Sequence, residues 1–126
     1  MRKVLLDTHV LLWIMQDARE LKRDARKLIE SAEAVYVSSV SLWEVSIKAA
    51  LGKLKVDLDR FDARLAEIGF LALPVTWAHA RQMRRLPTLH SDPFDRMLVA
   101  QAVSEPLHLL THDAALAAYS DFVTVV

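Results

Sequence analysis

The sequence predicts an α/β fold with a mainly parallel central sheet flanked by helices, and three observations carry that reading. Short apolar runs of strand length alternate along the chain with segments of helical spacing. The first of these runs, Val4-Leu5-Leu6, has no polar alternation, as suits a strand covered on both faces. Acidic residues recur just after the strands or early in the following helices, where an open parallel sheet gathers its ligand-binding groups.

Taken in order, Val4-Leu5-Leu6 is the first strand and residues 10–15 a short helix. Leu21, Ala25, Leu28 and Ile29 recur at helical spacing and predict a helix over 21–32. Ala34-Val35-Tyr36-Val37 reads as the second strand. Residues 41–51 return to helical spacing and stop at Gly52, a natural C-terminal cap. Phe61, Leu65 and Ile68 mark another helix, closed by Gly69. Residues 70–73, ended by Pro74, form the third strand, followed by a helix over 76–86. Pro93 suits the first position of a helix continuing through 94–103. Residues 107–110 and 122–126 finish as strands.

A chain of 126 residues is the size of one domain, spanning 1–126, and can bury a core without staples. Its apolar fraction of 53% rules out a disordered tail and hints at a partner face. With no cysteine, disulfides, thiolate metal sites and a cysteine nucleophile are excluded, and a reducing cytoplasm fits best. Two glycines far apart exclude a phosphate loop or a dinucleotide fingerprint. Sixteen basic and sixteen acidic residues cancel, so any nucleic acid must be held by local patches. Asp7 interrupts the apolar start, and no apolar stretch approaches the roughly 20 residues of a membrane span, so a soluble protein without an address label is expected.

Four acids stand out. Asp7 follows the first strand, Glu44 lies early in the helix after the second, Asp95 opens the helix at Pro93, and Asp113 follows the fourth strand. Carboxylates converging in one crevice repel each other unless a cation neutralises them, and hard ions such as Mg²⁺ or Mn²⁺ suit oxygen ligands. Each acid has a plainer reading. Ser41-x-x-Glu44 fits a capping box, Asp92-x-x-Asp95 a looser one, and Asp113 can cap residues 114–119. Asp92 is read mainly as a cap, with a supporting role beside the site as the alternative.

Asp7-Thr8-His9-Val10-Leu11-Leu12-Trp13, the stretch SLWEVSIKAALGKL over 41–54, DPFDRMLVAQA over 92–102 and Leu110-Thr111-His112-Asp113 occur in that order. Together these blocks resemble a PIN-domain ribonuclease of the VapC toxin type. The resemblance spans nearly the whole chain and implies a PIN-like three-layer sandwich with its acidic site at Asp7, Glu44, Asp95 and Asp113. It also implies RNA cleavage with Mg²⁺ or Mn²⁺, a homodimer, and silencing by a small VapB-type antitoxin that itself binds operator DNA. Residues 58–89 carry no matching motif.

The implied chemistry is that of a carboxylate-bound ion that polarises a phosphoryl oxygen and activates its bound water. Asp7, Asp95 and Asp113 would hold the ion, while Glu44 would be a ligand or orient the attacking water. Thr111 places a hydroxyl at the same strand end, either to hold water or phosphate or as an ordinary strand-end threonine. Arg81, Arg84 and Arg85, close in sequence to His90 and Arg96, are candidates for RNA phosphates, with Lys48, Lys53 and Lys55 a second patch. Lys22, Arg23, Arg26 and Lys27 read as a solvated face. His9 and His112 neighbour site acids and could touch RNA, against a structural reading that applies to His108 as well. Trp13 and Trp43 read as core or interface packing, and the helices over 10–15 and 21–32 as an antitoxin groove by resemblance. The rival functions are a housekeeping RNA-maturation nuclease and a non-catalytic RNA- or protein-binding module. A phosphoacceptor receiver is disfavoured, since Asp7 lacks an adjacent acidic partner and no lone aspartate ends the third strand.

Overall fold

Val4-Leu5-Leu6 becomes the centre of the sheet. In the computed structural model, which describes residues 2–126, the strands are β1 (Lys3–Leu6), β2 (Ala34–Ser38), β3 (Leu71–Leu73), β4 (His108–Thr111) and β5 (Val123–Val125). They pair in the order β3-β2-β1-β4-β5, and every neighbouring pair is parallel. The expected mainly parallel sheet is thus parallel throughout the described residues. The helices are α1 (Thr8–Met15), α2 (Arg23–Ser31), α3 (Ser39–Ala50), α4 (Phe61–Ile68), α5 (Trp77–Gln82) and α6 (Pro93–Ser104). Tight 3₁₀ turns cover Leu58–Arg60, Met83–Arg85 and Ala114–Tyr119.

Successive strand side chains point to opposite faces, so each central strand feeds two cores. Val4 and Leu6 of β1, Val35 and Val37 of β2 and Leu110 of β4 pack with Val10, Leu11, Ala25, Ile29 and Phe61 from α1, α2 and α4. Leu5 and Leu109 face the other way, against Leu98, Val99 and Ala102 of α6 and Leu116. Helices on both faces give three layers. Because β1 connects outward to β2 on one side and lies beside β4 on the other, the strand order reverses at the β1–β4 boundary. Reversals of this kind are where open parallel sheets form a ligand crevice, at the carboxyl ends of their strands.

Several element boundaries differ from expectation for local reasons. α1 begins at Thr8 rather than Val10, because the Asp7 carboxylate accepts the Val10 N–H at 2.9 Å and starts the helix earlier. α2 begins at Arg23, since the Leu21 N–H closes a turn on the Ala18 carbonyl at 3.2 Å. α3 begins at Ser39, directly after β2, and Ser38 caps it by accepting the Val40 N–H at 3.0 Å. Ser41 is therefore not the cap; its hydroxyl accepts a buried hydrogen bond from Thr8 at 3.0 Å. The helix expected over 76–86 keeps α-helical form only to Gln82 before tightening into the 3₁₀ turn. Gly52 and Gly69 follow helix ends at φ +73° and +92°, the left-handed conformation that glycine adopts without a Cβ penalty.

The helices over 10–15 and 21–32, expected to present a groove, turn most of their apolar residues into the core. An open apolar cleft of about 460 Å³ lies between α4, Leu42 of α3 and β2–β3. Among the described residues no helix is long and apolar enough to cross a membrane.

Candidate active site

Asp7 is the first residue beyond β1, and its N–H donates to the Leu110 carbonyl at 3.0 Å, carrying the β1–β4 contact to the mouth of the crevice. Its side chain is 4% exposed. One oxygen caps α1, and the other accepts a hydrogen bond from the buried Thr111 hydroxyl at the end of β4. Thr111 in turn accepts the Asp113 N–H at 3.0 Å. Its hydroxyl therefore orients Asp7 and ties that residue to the turn carrying Asp113. Burial raises the Asp7 pKa against the opposing hydrogen bonds from Thr111 and Val10.

Glu44 lies in the second turn of α3, not at its cap, and is buried. Its Oε2 accepts from Lys48 Nζ at 3.0 Å, while Oε1 is buried without any hydrogen-bond partner. Lys48, read earlier as part of a phosphate patch, is thereby engaged with a site acid.

Pro93 starts α6 with Asp92 as its cap, whose Oδ1 accepts the Phe94 N–H at 2.8 Å and the Asp95 N–H at 3.4 Å. Only half of the expected capping box forms, because the Asp92 N–H donates to His90 Nδ1 rather than to Asp95. The Asp95 carboxylate stays free of capping duty. Burial first, and then the nearby charges of Asp92, Asp7 and Glu44, push its pKa up to about 7. The electrostatics thus couple acids from three separate segments, at the ends of β1 and α6 and within α3.

Asp113 divides its oxygens in the same way as Asp7. Oδ1 accepts the Ala115 N–H at 3.0 Å, and Oδ2 lies 2.9 Å from His90 Nε2. His90 Nε2 is also 3.8 Å from Asp95 Oδ2, which brings His90, Asp95 and Asp113 into one cluster. The capping and site readings are therefore compatible, since Asp7 and Asp113 each use one oxygen as a cap and keep the other for Thr111 and His90 respectively. The donor set fits a hard divalent cation: several carboxylates crowd together, a buried Glu44 oxygen lacks a partner, and Asp95 is driven towards neutrality.

His90 is the member that sequence reading missed. Its one local signal is its place two residues before Asp92-Pro93, where a ring nitrogen can accept the Asp92 N–H. His79, which drew no sequence assignment, is fully buried. It completes a capping box with Thr76 at the start of α5 and reaches Glu105 at 2.5 Å. His9 and His112 are exposed and flank Trp13, with ring centroids 6.2 and 4.9 Å from it.

The candidate arginines fall into two groups. Arg96 is partly buried and donates to the Leu86 carbonyl at 3.5 Å, so it holds the loop before α6. Arg81, Arg84 and Arg85 are exposed and line a polar pocket of about 350 Å³ beside Ser104, the last residue of α6. At 1.5 Å per helical residue, Ser104 lies roughly 14 Å along α6 from Asp95. Replacing the three arginines together is expected to weaken RNA binding and to flatten its salt dependence, lowering the log–log slope by up to about 2. Filter binding across a salt series checks this, and an unchanged slope would place the phosphate track elsewhere.

Comparison with known proteins agrees with this architecture. The PIN domain family model matches residues 4–121. Ribonuclease VapC22 of Mycobacterium tuberculosis is 29% identical over 119 residues, covering 92% of this chain and 91% of that protein. The fold is shared with VapBC2 from Rickettsia felis bound to a promoter DNA fragment, at TM-score 0.69 and 14% identity, covering 98% of this chain and 97% of that one. It is shared too with DNA-bound VapBC from Salmonella typhimurium, at TM-score 0.68 and 16% identity, covering 100% and 98%. With the family match running from β1 through the turn after Asp113, the chain belongs to the PIN-domain family.

Proposed function

We propose that this protein is a metal-dependent endoribonuclease, the toxin of a toxin–antitoxin pair acting in the cytoplasm. What supports the reading is that the charges of Asp7 and Glu44 act on Asp95, and that Asp95 and Asp113 cluster with His90, beside the strand-order reversal of a PIN-family sheet. Asp7, Asp95 and Asp113 would hold Mg²⁺ or Mn²⁺, and Glu44 would be a ligand or orient the attacking water. When bound there, the ion polarises a phosphoryl oxygen and lowers the pKa of its water. The chain's own residues do the positioning. Thr111 and the Val10 N–H fix the two oxygens of Asp7, and Lys48 holds Glu44 through Oε2 while Oε1 stays unpartnered. The crevice itself repels phosphates, so Arg81, Arg84 and Arg85 would supply the attraction for RNA.

The test is incubation of the purified protein with total RNA, with and without Mg²⁺, beside an Asp7→Asn control. Cleavage that needs both the metal and Asp7 supports the reading; no cleavage, or cleavage indifferent to either, overturns it. The toxin assignment draws on the name of the curated relative and on the toxin–antitoxin complexes that share the fold. It predicts that expression of the chain alone arrests growth and that a VapB-type protein encoded beside it restores growth by direct binding. Contact with operator DNA would run through that antitoxin. A chain that cuts RNA in vitro yet is harmless at high expression would be a housekeeping nuclease instead.

The apolar cleft beside α4 and edge strand β3 suits an antitoxin segment, since it offers open hydrophobic walls next to a strand edge. A stripe that meets this cleft at Leu71 suits a homodimer. Trp43, Ile47 and Leu51 follow one another along α3, with Trp43 61% exposed, and Leu71, Val75 and Trp77 are exposed as well, Trp77 at 84%. Six large apolar side chains offer several hundred Å², approaching the about 800 Å² per partner of a standard interface. Leu51→Glu with Trp77→Glu is expected to convert a dimer to a monomer in sedimentation velocity with little change in Tm. A wild-type chain that sediments as a monomer would remove the dimer.

A further inference from the structure

We infer that His90 is a positioning residue of the acidic site: held as the Nε2–H tautomer, it donates to Asp113 and sets that carboxylate for the divalent ion without itself ligating the ion. This rests on the metal-site reading above and adds a residue to it.

The loop carrying His90 is tied down on several sides. The Leu89 and His90 N–H groups both donate to the Tyr119 hydroxyl, at 3.2 and 2.8 Å, and Arg96 donates to the Leu86 carbonyl. The imidazole is 20% exposed, so its hydrogen bonds are largely shielded from water. The decisive contact is the Asp92 N–H on His90 Nδ1 at 3.1 Å. A backbone amide always carries its proton, so Nδ1 must present a lone pair, and the proton of the neutral ring sits on Nε2. That N–H faces Asp113 Oδ2 at 2.9 Å.

The spacing alone invites a different reading, because one atom each of His90, Asp95 and Asp113 lie within 4.8 Å of one another. Ligation through Nε2 would require the ring proton on Nδ1, where it would meet the Asp92 N–H donor to donor. The loop therefore selects a donor rather than a ligand. Asp113, held at Oδ1 by the Ala115 N–H and at Oδ2 by His90, keeps a defined orientation, and its remaining lone pairs would be left for the ion. The ligand set stays all-oxygen, which favours Mg²⁺ and Mn²⁺ over the ions that imidazole attracts.

The test uses Mn²⁺ alone as the probe of the full-length chain, read by electron paramagnetic resonance. The wild type is expected to bind Mn²⁺ without the ¹⁴N coupling of a directly coordinated imidazole. His90→Ala should weaken binding roughly tenfold or more. His90→Gln, whose amide can donate from nearly the same place as Nε2, should recover most of that loss. Neither variant reproduces the ring acceptor for the Asp92 N–H, so a purely structural role would weaken both equally, and that result overturns the inference. Equal affinity in all three proteins also overturns it. A strong ¹⁴N coupling in the wild type that disappears in His90→Gln would make His90 a ligand. A wild type that binds no Mn²⁺ overturns the metal site itself, and the role of His90 with it.

Discussion

In matched Mg²⁺, Asp7→Asn is expected to lower RNA cleavage by at least about a hundredfold while the fold persists, the scale on which removing one preorganised charged or polar group acts. The substitution is nearly isosteric. The asparagine oxygen can still accept the Val10 N–H, preserving the cap of α1, and the Thr111 hydroxyl can rotate its proton to accept from the new amide. What disappears is a buried negative charge at the strand-order reversal. Because burial raises the Asp7 pKa, that charge is a cost to the metal-free protein, and its loss should leave Tm unchanged or higher. A residue serving only as a cap would instead lose about 1 kcal/mol when truncated to alanine. Product gels separate the two, since asparagine keeps the cap but not the charge, and wild-type cleavage by Asp7→Asn would move the chemistry elsewhere.

The second large effect is electrostatic. Asp95 binds its proton more tightly in the folded chain, with a pKa raised from 3.8 to about 7, chiefly by burial and then by Asp92, Asp7 and Glu44. The folded state therefore holds more protons than the unfolded state between these values, and stability falls as pH rises through that window. The penalty is absent below about pH 4 and complete above about pH 7. It amounts to at most about 4 kcal/mol, before solvent screening in the partly open crevice reduces it. Asp95→Asn is expected to raise the Tm of the metal-free protein by roughly 5 °C at pH 7.5, with the gain vanishing near pH 4. Saturating Mg²⁺ should stabilise the wild type more than the variant, since binding to the folded state alone adds stability by mass action. Melting curves across pH, with EDTA and with Mg²⁺, check both signs. A variant less stable than wild type at pH 7.5 would show that Asp95 supports the fold more than the ion.

Much of the fold was legible because its signals are local. Val4-Leu5-Leu6 and the apolar pairs of β2 and β4 mark strands covered on both faces, and Gly52 and Gly69 close helices at positive φ. The start of α3 was misplaced because β2 runs into it without a loop, leaving Ser38 rather than Ser41 as its cap. Helical periodicity identifies the body of a helix but not the residue that satisfies its first N–H groups. The break at Gln82 has the same character, since no glycine or proline announces the tightening into a 3₁₀ turn.

The sequence by itself determined the alternation of strands and helices and the placing of Asp7, Glu44, Asp95 and Asp113 after strands or within the following helices. It also carried, in the order of its motifs, the resemblance to the family. These properties follow from neighbours a few residues apart, which set periodicity, capping and turn chemistry. The tertiary structure alone decided which polar groups meet. Thr111 reaches Asp7 across 104 positions, and His90 reaches Asp113 across 23. It turned Arg96 towards the Leu86 carbonyl, left Arg81, Arg84 and Arg85 exposed, and left Trp43 exposed rather than in the core. The physical reason is that a side chain's partner across the sheet depends on strand order and helix crossing. Those are settled by burial of the two apolar faces together, not by any segment alone.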